Sequence, residues 1–142
     1  MQQIALLRSI PLFKNLDDDD LTLIAQSLHR EKHPRGAMVF AKGDVGDTLY
    51  LVETGQVAVI GEDGKETIAF LGPGSFVGEI SLLLAQPRTA NLQVMIDAQL
   101  WALHKDDFDH LIATRPSIAL EMMRELSKRL VTTTQRRPNP RR

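Results

Sequence analysis

Glycine and the apolar pattern divide the chain into three stretches. All nine glycines lie between Gly36 and Gly78, and the segments on either side contain none. Helix interiors avoid glycine and tight-turned strands use it, so the order predicted is helix, a strand-rich middle, then helix. Ile4 to Ile10 predicts a short helix that Pro11-Leu12-Phe13 breaks. Asp17 opens a second helix as its N-cap, with Asp18 to Asp20 in a first turn that favours negative charge. Leu21, Ile24, Ala25 and Leu28 are spaced to form one buried stripe.

In the middle, Met38-Val39-Phe40 predicts a short strand turned by Lys42-Gly43-Asp44. Thr48 to Glu53 and Gln56 to Ile60 flank Thr54-Gly55, which reads as a tight hairpin, and Asp63-Gly64 reads as a second one leading into Thr67 to Leu71. Ala90 to Val94 and Leu100 to Leu103 complete seven or eight short strands, the pattern of a sandwich or barrel. Lys105 to Ala113 predicts a helix ending at Arg115-Pro116, because the residue before proline disfavours the helical region. Pro116 then starts a helix to about Thr132. Along it Ala119, Met123, Leu126, Leu130 and Thr133 follow steps of four and three, a seam of two heptads. The folded domain is therefore expected over 1–131, with 132–142 a disordered basic tail holding Pro138 and Pro140.

Composition narrows the classes. With 142 residues, 43% hydrophobic and 25% charged, the chain suits one globular domain. A net charge of −1 argues against direct nucleic-acid binding, and the tail arginines lack aromatic partners, so the tail reads as solubilising. The lack of cysteine excludes disulfides and thiol catalysis. No apolar run reaches the ~20 residues of a membrane span and no signal-peptide pattern opens the chain, so a cytoplasmic location without membrane insertion is expected. No metal is expected. The four aspartates lack the alternation of a calcium loop, and His29, His33, His104 and His110 match no zinc pair. Trp101, in a strand pattern, reads as core.

The chemistry concentrates in Gly72 to Ala90. A short apolar strand leads into Gly78, which admits close approach to its backbone, and a short helix follows whose first N–H groups have no intrahelical partner. Arg88, carried back by Gln86-Pro87, offers a fork of donors suited to phosphate, while the Glu79 carboxylate suits a sugar hydroxyl. Together they describe a nucleoside monophosphate site. A surface pair between Glu79 and Arg88 is the plainer alternative, but it leaves the glycine and the helix without a reason. Ser81 lacks the nucleophile elbow Gly-x-Ser-x-Gly, so no catalytic residue is assigned and no enzyme is expected.

The order Phe76-x-Gly78-Glu79-Ile80-x-Leu82, then Pro87-Arg88-Thr89-Ala90, resembles the phosphate-binding cassette of the cyclic nucleotide-binding domain family. That family includes bacterial catabolite activators, regulatory subunits of cyclic-AMP-dependent kinase and cyclic-nucleotide-gated channels. Ten residues separate Gly78 from Arg88, a spacing similar to the kinase and channel cassettes, and the likeness covers about 10–131. It implies an α+β, mainly β fold: a double-stranded β-helix or jelly-roll β-roll flanked by N-terminal and C-terminal helices. It implies cAMP, or cGMP, as ligand, with Gly78, Glu79, Ile80, Ser81, Arg88, Thr89 and Ala90 as the binding residues. By this resemblance the phosphate meets Arg88 and the backbone N–H groups of Ser81 and Thr89, Glu79 accepts from the ribose, and the Thr89 hydroxyl admits cGMP. Phe76, Val77, Ile80, Leu82 and Leu83 are expected to pack the cassette onto the roll.

No aromatic residue follows Phe108, so a lid over the base would come from Met122, Met123, Leu126 and Leu130. The same residues suit the helix's buried stripe or a homodimer seam. Two roles stay open: a regulatory sensor signalling through movement of the C-terminal helix, or a ligand-free relative serving as a dimerisation or scaffold module. The activators carry a helix-turn-helix after that helix, so an effector domain would belong to a longer chain.

Overall fold

The computed structural model describes residues 2–61 and 63–136. Helix α1 spans Gln2–Ser9 and α2 spans Asp18–Ser27, and Asp17 caps α2 by accepting from the Asp20 amide at 2.8 Å. The strands are β1 (His29–His33), β2 (Met38–Phe40), β3 (Thr48–Ile60), β4 (Thr67–Leu71), β5 (Phe76–Val77) and β6 (Asn91–His104). Helix α3 (Glu79–Leu84) sits between β5 and β6, and α4 (Lys105–Thr114) and α5 (Pro116–Arg136) follow β6. Helix α5 thus continues past the end near Thr132 that the sequence suggests, while 137–142 of the expected tail lie outside the described residues.

Every strand pairing is antiparallel, in the order β1-β6-β3-β4, with β2 also on β6 and β5 also on β3. The expected mainly β fold with flanking helices is what forms. Two details differ. The segments read as four short strands are two long ones, β3 and β6, paired from Thr48↔His104 to Ile60↔Asn91. Thr54-Gly55 is therefore no hairpin. It lies within β3, where the register with β6 shifts between Val52 and Val57. Gly55 has φ 87°, and a Cβ there would stand 2.3 Å from the Asp97 carbonyl oxygen. The sequence signal was a real demand for positive φ, but a bulge makes it as readily as a turn does. Strand β1 escapes sequence reading altogether, because His-Arg-Glu-Lys-His has no apolar alternation.

Alternation along the long pair feeds two cores. Leu49, Leu51, Trp101 and Leu103 face the helices and join Leu21, Ile24, Ile118 and Met122. Val52, Val57, Val94 and Leu100 face the other way and fill the roll with Val39, Tyr50 and Leu71 around them. The α2 stripe of Leu21, Ile24, Ala25 and Leu28 is buried as expected. Trp101 is buried as well, its indole N–H donating to Glu53 Oε2 at 2.8 Å. The start of α5 is tied to α2 through buried Asp20, which accepts from Arg115 Nη1 at 3.0 Å and Ser117 Oγ at 3.1 Å. Among the described residues no helix is long and apolar enough to cross a membrane.

Gly55→Ala should lower the unfolding free energy by at least the ~1–3 kcal/mol of a strained backbone, since the new methyl also meets β6. Urea denaturation reads this, and an unchanged midpoint would mean that β3 and β6 separate at the bulge without cost.

Candidate functional site

Helix α3 begins on Gly78, whose φ of 96° is left-handed, and ends on Ala85, also left-handed at φ 54°. Gln86 and Pro87 then return the chain so that Pro87 bridges to Val45. The β2–β3 loop grips the next residue on both sides: Arg88 N donates to Asp44 O at 2.9 Å, and Gly43 N donates to Arg88 O at 2.8 Å. The main chain of Arg88 is thereby fixed independently of its side chain.

That side chain is only 6% exposed. Its Nη2 donates to the Thr48 carbonyl at 2.8 Å, and Cζ lies 4.1 Å from the Phe40 ring centroid and 6.0 Å from that of Tyr50. Nη1 is buried and finds no hydrogen-bond partner among the described residues. The simple Glu79–Arg88 pair therefore fails where it would have to form. Burial pushes the Arg88 pKa below its ordinary value, against the opposing influence of Tyr50, Asp47, Asp44 and Glu79. Arginine nevertheless stays charged in proteins. Burial likewise raises the Tyr50 pKa; Glu31 adds to the rise and the Arg88 charge opposes it.

Two glycines clear the space for this cation. A Cβ at Gly78 would stand 2.6 Å from both Arg88 Nη1 and Thr48 O. One at Gly46 would stand 2.5 Å from Ser81 Oγ and 2.7 Å from Arg88 Nε. Gly46, Asp44, Thr48 and Phe40 were not marked as site residues by the sequence. The Lys42–Asp47 loop carries only an ordinary turn signal, and its closeness to Arg88 exists in three dimensions alone.

A cavity of about 330 Å³ opens beside Arg88, a volume at the lower end for small-molecule sites. All seven residues expected to bind ligand border it, and Phe40, Val59 and Leu71 of the roll form its apolar wall. Larger hollows between α2 and α4, about 470 Å³, and along α5, about 760 Å³, do not touch Arg88. Glu79 is half-buried and Thr89 is exposed. Ser81 is buried, and its hydroxyl donates to Gln86 O at 3.2 Å, closing the turn after α3. Leu82 is fully buried against the helical core, as expected of a packing residue. Ile80 is not: it is 55% exposed and stands on the cavity rim, because the opposite face of so short a helix is already taken by Leu82 and Leu83.

The four lid candidates do not border the cavity. Met122 is fully buried in the helical core, Leu126 packs against that core, and Met123 and Leu130 are exposed at 58% and 69%. Helix α5 instead meets the cassette through Arg129, whose Cζ lies 4.6 Å from the ring centroid of Phe76, a residue of the cavity wall. Among the described residues no group of three or more side chains could hold a metal ion.

The β-roll thus buries an arginine behind a glycine-led helix, with a carboxylate at the rim of the cavity beside it. Residues 30–115 match the family model for the cyclic nucleotide-binding domain, and the chain belongs to that family. It is 35% identical over 127 residues to the cyclic AMP receptor protein of Thermus thermophilus, which covers 87% of this chain and 59% of that protein. The chain thus spans about three fifths of that relative's length. Among solved structures, the N-terminal domain of a transcriptional regulator from Streptomyces coelicolor A3(2) superposes with a TM-score of 0.81 at 34% identity, covering 92% of this chain and 93% of that one. The regulatory domain of Toxoplasma gondii PKA, crystallised with cAMP, gives 0.72 at 30% identity over 78% of this chain and 43% of that one.

A half-paired buried cation contributes little to stability by itself. Arg88→Met, which keeps the apolar contact with Phe40, should leave the ligand-free protein within about 1 kcal/mol of wild type, because the burial cost of the cation that it removes offsets the Thr48 bond that it loses. Urea titration without ligand decides it; a loss of several kcal/mol would make Arg88 a structural residue.

Proposed function

We propose that this domain binds a cyclic nucleoside monophosphate, cAMP in preference and cGMP as a second ligand, and acts as a regulatory sensor without chemistry of its own. The buried Arg88 Nη1, without a partner among the described residues and beside a cavity walled by the cassette, is the observation that carries this reading. An anion there would complete the cation's hydrogen bonds in a site where charge-assisted bonds are strong. A neutral scaffold module would gain nothing from keeping that group unpaired.

In this reading the cyclic phosphate bonds Arg88 Nη1 and the backbone N–H groups of Ser81 and Thr89. Gly78 leaves room for its approach, and Glu79 at the rim accepts from the ribose 2′-hydroxyl. The base lies toward the apolar wall, and the exposed Thr89 hydroxyl is free to turn toward a guanine amino group. The signal leaves through α5, which Arg129 holds against Phe76. Nucleotide can shift α5 only by binding two of its positions unequally. Met122 and Ile118, fully buried, anchor the helix to the core and leave its later turns to move. A homodimer through α5, a cytoplasmic setting and an effector segment in a longer chain are compatible with this role.

Calorimetric titration of nucleotide-free protein with cAMP and cGMP tests the reading directly. Arg88→Ala should weaken binding at least tenfold, from charge-assisted bonds of about 1.5–3 kcal/mol, and Arg88→Lys should also weaken it because a point charge cannot reproduce the fork. Unchanged affinity in either folded variant would exclude this site.

Glu79→Gln should weaken cAMP but leave a 2′-deoxy analogue nearly unaffected, since the deoxy ligand lacks the hydroxyl. Equal losses for both ligands would assign the carboxylate to packing.

Arg129→Ala should speed nucleotide release in stopped-flow while leaving the urea midpoint in place, because Arg129 is exposed. A release rate equal to wild type would remove the contact with Phe76 from the signalling route.

A further inference from the structure

The Thr48 residue bonds in two directions. Its carbonyl accepts from Arg88 Nη2 at 2.8 Å. Its hydroxyl lies 3.0 Å from Asp47 Oδ1 and 3.0 Å from His104 Nδ1. With one proton to give, the hydroxyl donates to the carboxylate and accepts from the imidazole N–H. Thr48 is 4% exposed, and it faces His104 across the β3–β6 ladder. His104 is the residue from which α4 starts, and the Lys105 N–H next to it donates to Asp47 O at 2.7 Å. Its ring rests 5.0 Å from that of His29, and His29 Nε2 is 3.2 Å from Asp107 Oδ2 in the first turn of α4. One short chain of contacts therefore runs from the pocket arginine to the first turn of α4.

We propose that Thr48 and His104 are positioning residues for Arg88, joining its guanidinium to the start of α4. This rests on the reading of Arg88 as the phosphate ligand. The Thr48 hydroxyl, held by His104 and Asp47, steadies the β3 carbonyl that aims Arg88 Nη2, and so sets where the buried Nη1 lies against Gly78. The β3–β6 ladder places the Thr48 carbonyl and the hydroxyl bonds steady it further, whereas the faces of Phe40 and Tyr50 do not fix rotation about the fork. Because α4 leads into α5 at Pro116, the same anchor ties occupancy of the pocket to the helices.

The test compares Thr48→Val, Thr48→Ser, His104→Phe and His104→Asn by cAMP calorimetry, with urea midpoints for each. Thr48→Val and His104→Phe keep volume but lose the hydroxyl–imidazole bond, and each should weaken cAMP about three- to tenfold, the range of one hydrogen bond. The Thr48→Val/His104→Phe double variant should lose no more than either single one, because they cut the same link. Thr48→Ser and His104→Asn, which restore an oxygen and an N–H, should bind within about twofold of wild type. A merely structural role would lower the urea midpoints and leave cAMP affinity in place. Folded Thr48→Val that binds like wild type overturns the proposal.

Arg88→Lys separates this from the site itself. If wild type and Arg88→Lys bind cAMP alike, or neither binds, the nucleotide reading fails, and the relay is then read from the Arg88 Nε–Hε NMR signal without ligand. That signal should be sharp in wild type and Thr48→Ser and broadened in Thr48→Val; equal line widths would overturn the relay.

Discussion

The antiparallel pair of β3 and β6 is the constraint on which the other parts depend. Its two faces build two different cores: Leu49, Leu51, Trp101 and Leu103 receive the helices, while Val52, Val57, Val94 and Leu100 close the roll. Side chains alternate along a strand, so a register slip of one residue would exchange the two sets and expose both. The Gly55 bulge lets the pair change direction without breaking it. At its other end the ladder sets Thr48 opposite His104, and so decides where the acceptor for Arg88 stands.

On that frame the pocket is built from opposed demands. Burial disfavours a guanidinium, and the fold meets only part of the cost, with one carbonyl, two aromatic faces and nearby carboxylates that reach it through space. Gly46 and Gly78 withhold the side chains that would otherwise fill the gap around it. The loop holding Gly43 and Asp44 fixes the Arg88 backbone, so the unpaired Nη1 is held in place and not simply loose. A site prepared in this way loses little ordering entropy when an anion arrives.

The contact between the pocket and the C-terminal helices differs from what apolar spacing suggests. Met122 has the flexibility of a capping residue, yet the register of α5 turns it into the core beside Ile118. The side chain that reaches the cassette is a cation, Arg129 on Phe76, on a helix face that heptad counting assigns to solvent. On α5 the heptad seam through Met123 and Leu130 is exposed and the buried face runs through Ile118, Met122 and Glu125, so apolar spacing finds neither that face nor a charged side chain that lies over a ring.

Local chemistry made much of this protein legible. The Asp17 cap, the α2 stripe, the break before Pro116 and the Gly78–Ala90 order each depend on neighbours a few residues apart, and each is where the sequence puts it. The seven residues expected at the ligand site do border one cavity. What tertiary structure alone decided are the features that need partners far along the chain. Gly55 demands positive φ, but only the pairing of β3 with β6 on both sides of it makes the site a bulge instead of a turn. His29–His33 is a strand because β6 supplies its hydrogen bonds, with no apolar face to announce it. Gly46 and Thr48 belong to the site because Arg88 arrives there from forty positions away, carrying a charge whose burial no local pattern encodes.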